Sequence, residues 1–400
     1  MVAPMSTERR RRAWQGVGGA LAVALALLGG AHCRRSRAVP AESAARTEVT
    51  AAEAARVRAR AARRFDRAAF PVLDVHTHFD TTATARALAM MDARNVRRAV
   101  NLSAGWPGAG LEEALAQQRE TGGRIVPFCM IDWRSFGAPG WVAAQEGILR
   151  ACAAAGVRGW KIPKVLGLGV RDVDGTRLRV DDPRLDPLFA LAGALRMVVL
   201  IHVGDPRAFF EPATPSNERW AELRVHPAWS FADPRFPRWG EILTELETRV
   251  LRHPGTVFIG AHFGNAAENP DRVESLLVRA PNYFIDTSAR VPEFGRHDPG
   301  RMRRFFIRWQ DRILFGTDLG IGPDPDDLML GSTGEQPPGP AEVERFWTAT
   351  FRYFESDARG FAHPTPIQGS WTIDGIDLPD DVLRKVYGAN AARLLDIPWP

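Results

Sequence analysis

Two histidines one residue apart, His76 and His78, close a short apolar run over residues 72–75. Side chains alternate faces along a strand, so both rings leave the backbone on one side, about 6–7 Å apart. Two imidazoles so placed can clamp a divalent ion from one side. Alone the pair is weak evidence, because a packed core histidine beside a surface one gives the same spelling. Its weight comes from later strand-like runs that also end in ligand-type residues. Lys161, His202, His262 and Asp318 (in Gly316-Thr-Asp) stand at such ends, making six residues at five strand ends. Imidazole nitrogens with one carboxylate oxygen are the donors Zn²⁺ takes in an open catalytic site, and Mn²⁺ or Fe²⁺ also fit.

The elements that must carry these residues recur as apolar runs, each followed by a helical pattern. Strands are predicted near residues 72–75, 98–102, 125–131, 157–162, 197–202, 256–261, 282–286 and 312–316. Helical patterns fall at 83–94, 111–121, 140–155, 182–195, 241–252, 271–279 and 299–309. Eight strands with helical crossovers predict an α/β fold, a parallel eight-stranded (β/α)₈ TIM barrel, whose catalytic groups lie at the carboxyl ends of the strands. A doubly wound open sheet needs a glycine-rich phosphate loop after the first strand, where this chain has His-Thr-His. Asp174-Gly175 predicts a small hairpin after the fourth strand. Residues 206–237, rich in Pro and Trp, read as a lid or substrate loop. Residues 331–340 read as a loop on the active-site side. The tail, 378–395, reads as an amphipathic helix pair broken by Gly388, with Asn390 as a cap.

The chain has 400 residues and a formal net charge of +5, enough length for one large domain or two ordinary ones. The positive charge sits at the front: residues 1–70 hold 14 Arg against 5 acids, leaving 38 basic and 42 acidic residues behind them. The bulk has no nucleic-acid footprint, and DNA or RNA binding is excluded on that ground. Arg9 to Arg12 precede an uncharged apolar run over 13–31, which reads as a signal peptide or membrane anchor covering 1–33. The arginine pairs suit a twin-arginine signal, and Cys33 sits where a lipoprotein cysteine can lie, although His32 departs from the small residue such sites take. Residues 34–69 read as an Ala/Arg-rich tether with a lead-in helix from Thr50 to Phe70. The expected location is therefore the periplasm or a membrane surface. Cys129 and Cys152, in apolar surroundings, read as core thiols.

The order His-x-His, Lys, His, His, Asp resembles the metal-dependent amidohydrolase superfamily. The wording Leu73-Asp-Val-His-Thr-His, Gly159-Trp-Lys, Gly260-Ala-His-Phe-Gly and Phe315-Gly-Thr-Asp, with the tail from Leu378 to Leu395, is similar to its amidohydrolase-related ("amidohydrolase 2") branch. The resemblance covers residues 70–397. It implies that His76, His78, His202 and Asp318 hold one metal, most simply Zn²⁺. Asp318 would take the proton of an activated water, and His262 would polarise the substrate carbonyl. Lys161 would face a substrate carboxylate, or, as in binuclear members, be carbamylated and bridge two metals. Arg290, Arg134 and Lys164 follow strand ends, where a cation can meet a substrate carboxylate. Trp106, Phe209, Phe210, Trp220 and Trp229 lie in or near loops that can roof a pocket.

The reading that results is a metal-dependent hydrolase, with metal-activated water attacking the amide, ester or lactone carbonyl of a small carboxylated substrate. A non-oxidative decarboxylase on the same barrel is the alternative. An exported binding protein without catalysis is the alternative from another class. The sequence carries no reading of oligomeric state.

Overall fold

Val72, Leu73 and Val75 draw the first strand, β1 (Val72–Phe79), into the interior, where all three are buried. In the computed structural model, which describes residues 64–400, strands and helices then alternate along the chain. They run α1 (Thr84–Arg94), β2 (Val96–Asn101), α2 (Leu111–Glu120), β3 (Ile125–Pro127), α3 (Trp141–Ala154) and β4 (Gly159–Ile162). Then come α4 (Asp186–Ala194), β5 (Val198–Ile201), α5 (Trp239–Arg252), β6 (Phe258–Gly260) and α6 (Pro270–Arg279). The series closes with β7 (Tyr283–Asp286), α7 (Pro299–Arg308) and β8 (Ile313–Leu314). Every pairing among β1–β3 and among β4–β8 is parallel.

Backbone hydrogen bonds join these two sheets at both seams. Between β3 and β4, Cys129 N donates to Gly159 O (3.0 Å) and Lys161 N to Cys129 O (2.8 Å). Between β8 and β1, Val75 N donates to Phe315 O (2.9 Å) and Asp318 N to His76 O (2.8 Å). A strand β9 (Leu319–Ile321) then pairs in parallel with β1 and antiparallel with β10 (Leu328–Leu330). This pair is not among the predicted strands; it forms by adding β9 alongside the end of β1 and β10 alongside β9.

Two apolar clusters sort by strand face. The larger lies between sheet and helices; the smaller gathers Leu73, Val75, Val100, Phe128, Val198, Leu200, Ile259 and Leu314. The β1–β2 register shifts between Asp74 and Thr77. Leu73 and Val75 lie in the inner cluster, and across the shifted stretch His76 and His78 turn into a cavity at the carboxyl ends. Such an irregularity re-aims side chains by one position. Gly159 on β4 has a packing reason: a Cβ there would fall on the Phe128 ring.

Helix α8 (Pro340–Glu355), absent from the sequence reading, starts with Pro at its first turn, and Glu342 accepts from Gly339 N at 3.1 Å. Its buried Phe346, Trp347, Phe351 and Phe354 join Phe294, Phe306, Phe315 and Tyr387 in an aromatic cluster. Each such ring contributes about 1.5–3 kcal/mol by burial.

The tail departs from expectation. It runs Asp380–Arg384, a π-helical turn Lys385–Ala389, and Asn390–Leu395 without a break. Gly388 is there because the Trp399 ring lies where a Cβ would be. Asn390 does not cap: its Nδ2 donates to Gln310 O (2.6 Å) and Ile313 O (2.9 Å), tying the tail to β8. Ala391, Ala392 and Leu395 seal the inner cluster.

Residues 64–70, expected as the end of a lead-in helix, form bends instead. Phe65 has a positive φ of 55°, and Ala69 N is spent on Glu355 Oε1 at 2.9 Å rather than on a helical carbonyl. The signal or anchor, Cys33 and the rest of the tether lie outside the described residues. Among the described residues no helix is long and apolar enough to cross a membrane. Cys129 and Cys152 are buried free thiols.

Candidate metal centre at the carboxyl ends of the strands

His76 is fully buried and gripped at both ring nitrogens. Nδ1 lies 2.9 Å from Asp286 Oδ2 and 2.9 Å from Ser288 Oγ. The Asp286 carboxylate also accepts from His262 N (2.8 Å), Ser288 N (3.0 Å) and Ser288 Oγ (2.5 Å), all at Oδ1. An oxygen that only accepts fixes the proton on Nδ1, which leaves a bare lone pair on Nε2. That lone pair faces Asp318 Oδ1 at 3.4 Å and Lys161 Nζ at 3.2 Å. Burial first, then the Lys161 charge, hold the imidazole well below its ordinary value, so it is neutral.

His262 follows β6 in the left-handed region (φ 55°), as does Phe263 (φ 58°). A non-glycine residue there costs about 1–3 kcal/mol and needs its surroundings to hold it. The bond from His262 N to Asp286 does so. His262 Nδ1 lies 3.0 Å from the Ser288 carbonyl, which can only accept, so this ring also carries its proton on Nδ1 and presents a bare Nε2. Burial, then His202 and Arg290, keep it neutral. A bare Nε2 can bind a metal or take a proton, and once protonated it can donate to a carbonyl or an oxyanion.

Asp318 also has a positive φ (63°), held by the bond from its N–H to His76 O. Its Oδ1 lies 3.4 Å from Nε2 of both His76 and His78. Burial pushes its carboxyl up, and the hydrogen bond with His78 pulls it down, leaving it below the usual range. His78, less buried, is held at Nδ1 by Ser103 Oγ (2.8 Å). His202 stacks edge-on to His262 at 4.2 Å between centroids. Its Nε2 is out of contact with water and has no hydrogen-bond partner, with Asp205 Oδ1 at 3.7 Å. Burial lowers its pKa to about 4. Lys161 is pushed down to about 8 by burial, against the pull of Asp318 and Asp286.

One ligand atom each from His76, His262 and Asp318 lie within 4.8 Å of one another. Two bare Nε2 atoms, an orphaned buried imidazole nitrogen and an ionised carboxylate are a donor set that fits a divalent cation.

All the strand-end residues line one cavity of about 280 Å³, together with Lys164 and Arg290. Lys164 Nζ is paired with Asp205 Oδ2 at 2.6 Å, and Arg290 Nη2 lies 4.0 Å from Asp205 Oδ1. Burial works against the Asp205 charge, but Lys164 and His202 hold its carboxyl well below the usual range. Arg134 stands elsewhere, which corrects its expected role in substrate binding. Asp132, two residues before it, takes its fork (2.9 and 2.8 Å), and the exposed guanidinium sits over Trp106. Of the loop aromatics, Phe209 and Trp229 line the cavity; Trp106, Phe210 and Trp220 do not. The 206–237 segment folds into three short helical pieces, Arg207–Phe210, Trp220–Val225 and Pro227–Trp229.

Sequence reasoning passed over Asp286, Ser288, Asp205, Arg219 and Glu222. Asp286 ends β7 and so met the same strand-end criterion as the others. Asp74 was also passed over, although a carboxylate inside an apolar run is itself a signal. It accepts from His76 N (3.0 Å), Thr317 N (3.1 Å) and Thr317 Oγ1 (2.5 Å), and burial raises it to about 7. Arg219 is wholly buried between Glu222 (2.8 Å) and Glu293.

No curated protein sequence matches the chain. Among solved structures, an uncharacterised TIM-barrel protein from Bordetella bronchiseptica is 16% identical, covering 82% of this chain and 99% of its own, with a TM-score of 0.46. A 2,6-dihydroxybenzoate decarboxylase is 14% identical, with 82% and 100% coverage and a TM-score of 0.46. A 4-oxalomesaconate hydratase from Rhodopseudomonas palustris is 12% identical, with 81% and 95% coverage and a TM-score of 0.47. The amidohydrolase family profile matches residues 128–397, from the end of β3 through the tail. The chain belongs to the amidohydrolase family.

Proposed function

We propose that the protein is a metal-dependent hydrolase, in which water attacks the amide, ester or lactone carbonyl of a small carboxylated substrate and the acyl C–N or C–O bond breaks. The observation that carries this is the pair of bare imidazole Nε2 atoms, on His76 and His262, gathered with Asp318 in one cavity. In this reading His76, His78, His202 and Asp318 hold one Zn²⁺, and the bare Nε2 of His262 is a further donor or a base. A divalent cation there supplies Lewis-acid activation of water and of the carbonyl. Asp318 accepts the proton of the attacking water and returns it to the leaving oxygen or nitrogen. The carbonyl carbon gains the water oxygen and loses the leaving group, so the products are an acid and an alcohol or amine; a lactone opens to a hydroxy acid.

The charges lining the cavity favour an anion. With Arg219 spent on Glu222 and Glu293, Lys161, Lys164 and Arg290 stand against Asp205 and Asp318, and a divalent ion adds to the excess. The same excess supports a second reading, non-oxidative decarboxylation, in which the cations hold the carboxylate that leaves. Lys161 faces the substrate carboxylate in either reading. Its carbamylated form, bridging two metals, is the two-metal alternative. The arginine-led apolar front, residues 1–33, supports export to the periplasm or a membrane surface. The test is zinc-loaded enzyme assayed on a panel of lactones, amides, and aromatic and unsaturated acids. Hydrolysis without carbon dioxide release supports the first reading, and carbon dioxide release supports the second. No turnover by protein that holds no metal would leave only a binding role.

A further inference from the structure

A second cavity, of about 310 Å³, lies behind one wall of the first. Ser332 lines both. The segment from Gly331 to Pro338 is a partition: Gly331 faces the catalytic cavity, while Gly334, Pro337 and Pro338 face the second. The partition is stapled on both sides. Toward the 206–237 segment, Ser332 Oγ donates to Glu222, His226 Nε2 lies 2.8 Å from Thr333 O, and Arg224 pairs with Glu335 at 2.9 Å. On the other side, Thr365 Oγ1 donates to Leu330 O (3.1 Å) and Gln368 Nε2 to Gly331 O (3.2 Å).

The second cavity has rigid apolar walls, from Leu330, Ile367 and four prolines. Two charged side chains open into it, Arg345 and Glu342, both partly exposed. Arg345 Nε is out of contact with water and has no hydrogen-bond partner. Its Nη2 lies 3.6 Å from Glu342 Oε1, too long for a hydrogen bond, and Glu342 Oε2 is spent on Gly339 N. A mostly apolar concavity with one underused charged donor is the usual form of a small-molecule site.

We propose that this cavity is a second ligand site, which takes a compact aromatic carboxylate. The flat apolar body lies against the proline walls, and the carboxylate meets the Arg345 guanidinium. The proposal goes beyond the hydrolytic reading and does not need it. Because the partition is shared, an occupant here bears on Ser332 and on its contact with Glu222 in the catalytic cavity.

The test is calorimetric titration of the full-length protein with 2-naphthoate and with neutral 2-naphthylmethanol. Gly334→Phe fills the cavity, since a Cβ at Gly334 meets nothing nearer than Gln336 O at 3.7 Å. Arg345→Gln removes the cation. Saturable binding of one naphthoate per chain is expected, weakened at least tenfold by Gly334→Phe. Arg345→Gln should weaken naphthoate by about tenfold or more, the worth of a hydrogen bond to a charged group, and leave naphthylmethanol unchanged. No binding by the wild type, or naphthoate binding that both variants leave unchanged, overturns the proposal. If Gly334→Phe does not fold, the Arg345→Gln contrast between the two probes decides alone. Zinc content measured in parallel reports on the hydrolytic site only, so the two readings fail separately.

Discussion

Asp286→Asn alters the chemistry of one side chain without altering its volume. In the wild type, Oδ1 accepts from His262 N, Ser288 N and Ser288 Oγ at 2.8, 3.0 and 2.5 Å, while Oδ2 faces His76 Nδ1 at 2.9 Å. An amide nitrogen at the Oδ1 position would oppose three donors. The amide therefore turns its nitrogen to the Oδ2 position, where it meets the Nδ1 proton of His76 with a second proton. His76 relieves the clash by moving its proton to Nε2, and the lone pair available to a metal is lost. A hydrogen bond to a charged partner contributes about 1.5–3 kcal/mol. At about 1.4 kcal/mol per tenfold, zinc affinity should fall roughly 10- to 100-fold, the usual effect of removing the partner of a ligating histidine. Competition against a chromophoric chelator measures the affinity. Two-bond ¹⁵N–¹H correlation spectra of metal-free, histidine-labelled protein report the tautomer. Unchanged affinity with His76 still protonated at Nδ1 would show that Asp286 does not set the proton on that ring.

Three further outcomes are expected. Asp318→Asn should cut turnover by about 10²–10⁴-fold, the worth of a positioned proton acceptor, while zinc content stays near the wild type; kinetics on any accepted substrate and metal analysis check both. His363 is buried, with Nε2 donating to Gly369 O at 3.0 Å, and burial lowers its pKa from 6.5 to about 4. Its share of stability is therefore complete above pH 6.5 and is lost as the pH falls through 4. Urea denaturation across that window should show His363→Gln losing stability less steeply, by up to about 1.4 kcal/mol per pH unit. Gly388→Ala should cost about 1–3 kcal/mol in the same assay by displacing Trp399.

What the sequence made legible follows from periodicity. Residues that end buried strands of one barrel must converge, so strand periodicity alone gathers His76, His78, Lys161, His202, His262 and Asp318, and they share one cavity. Distances in space were not legible. The tightest group, His76, His262 and Asp318, includes His262 because the left-handed turn after β6 swings it inward, and nothing in Gly260-Ala-His announces that turn. Arg134 misled because a strand-end cation was weighed without Asp132, two residues away, which neutralises it locally. Asp286 was missed because a carboxylate after a strand reads as a turn or cap; its role shows only when two distant histidines meet it. Gly388 read as a breaker because glycine's commonest meaning is conformational, whereas here it makes room for an indole.

Whether these scattered side chains grip a cation is read by elemental analysis of protein purified under metal-replete conditions. One zinc per chain is expected, lost in His78→Ala. Protein that carries no transition metal, with or without the substitution, would mean that the side chains hold no ion.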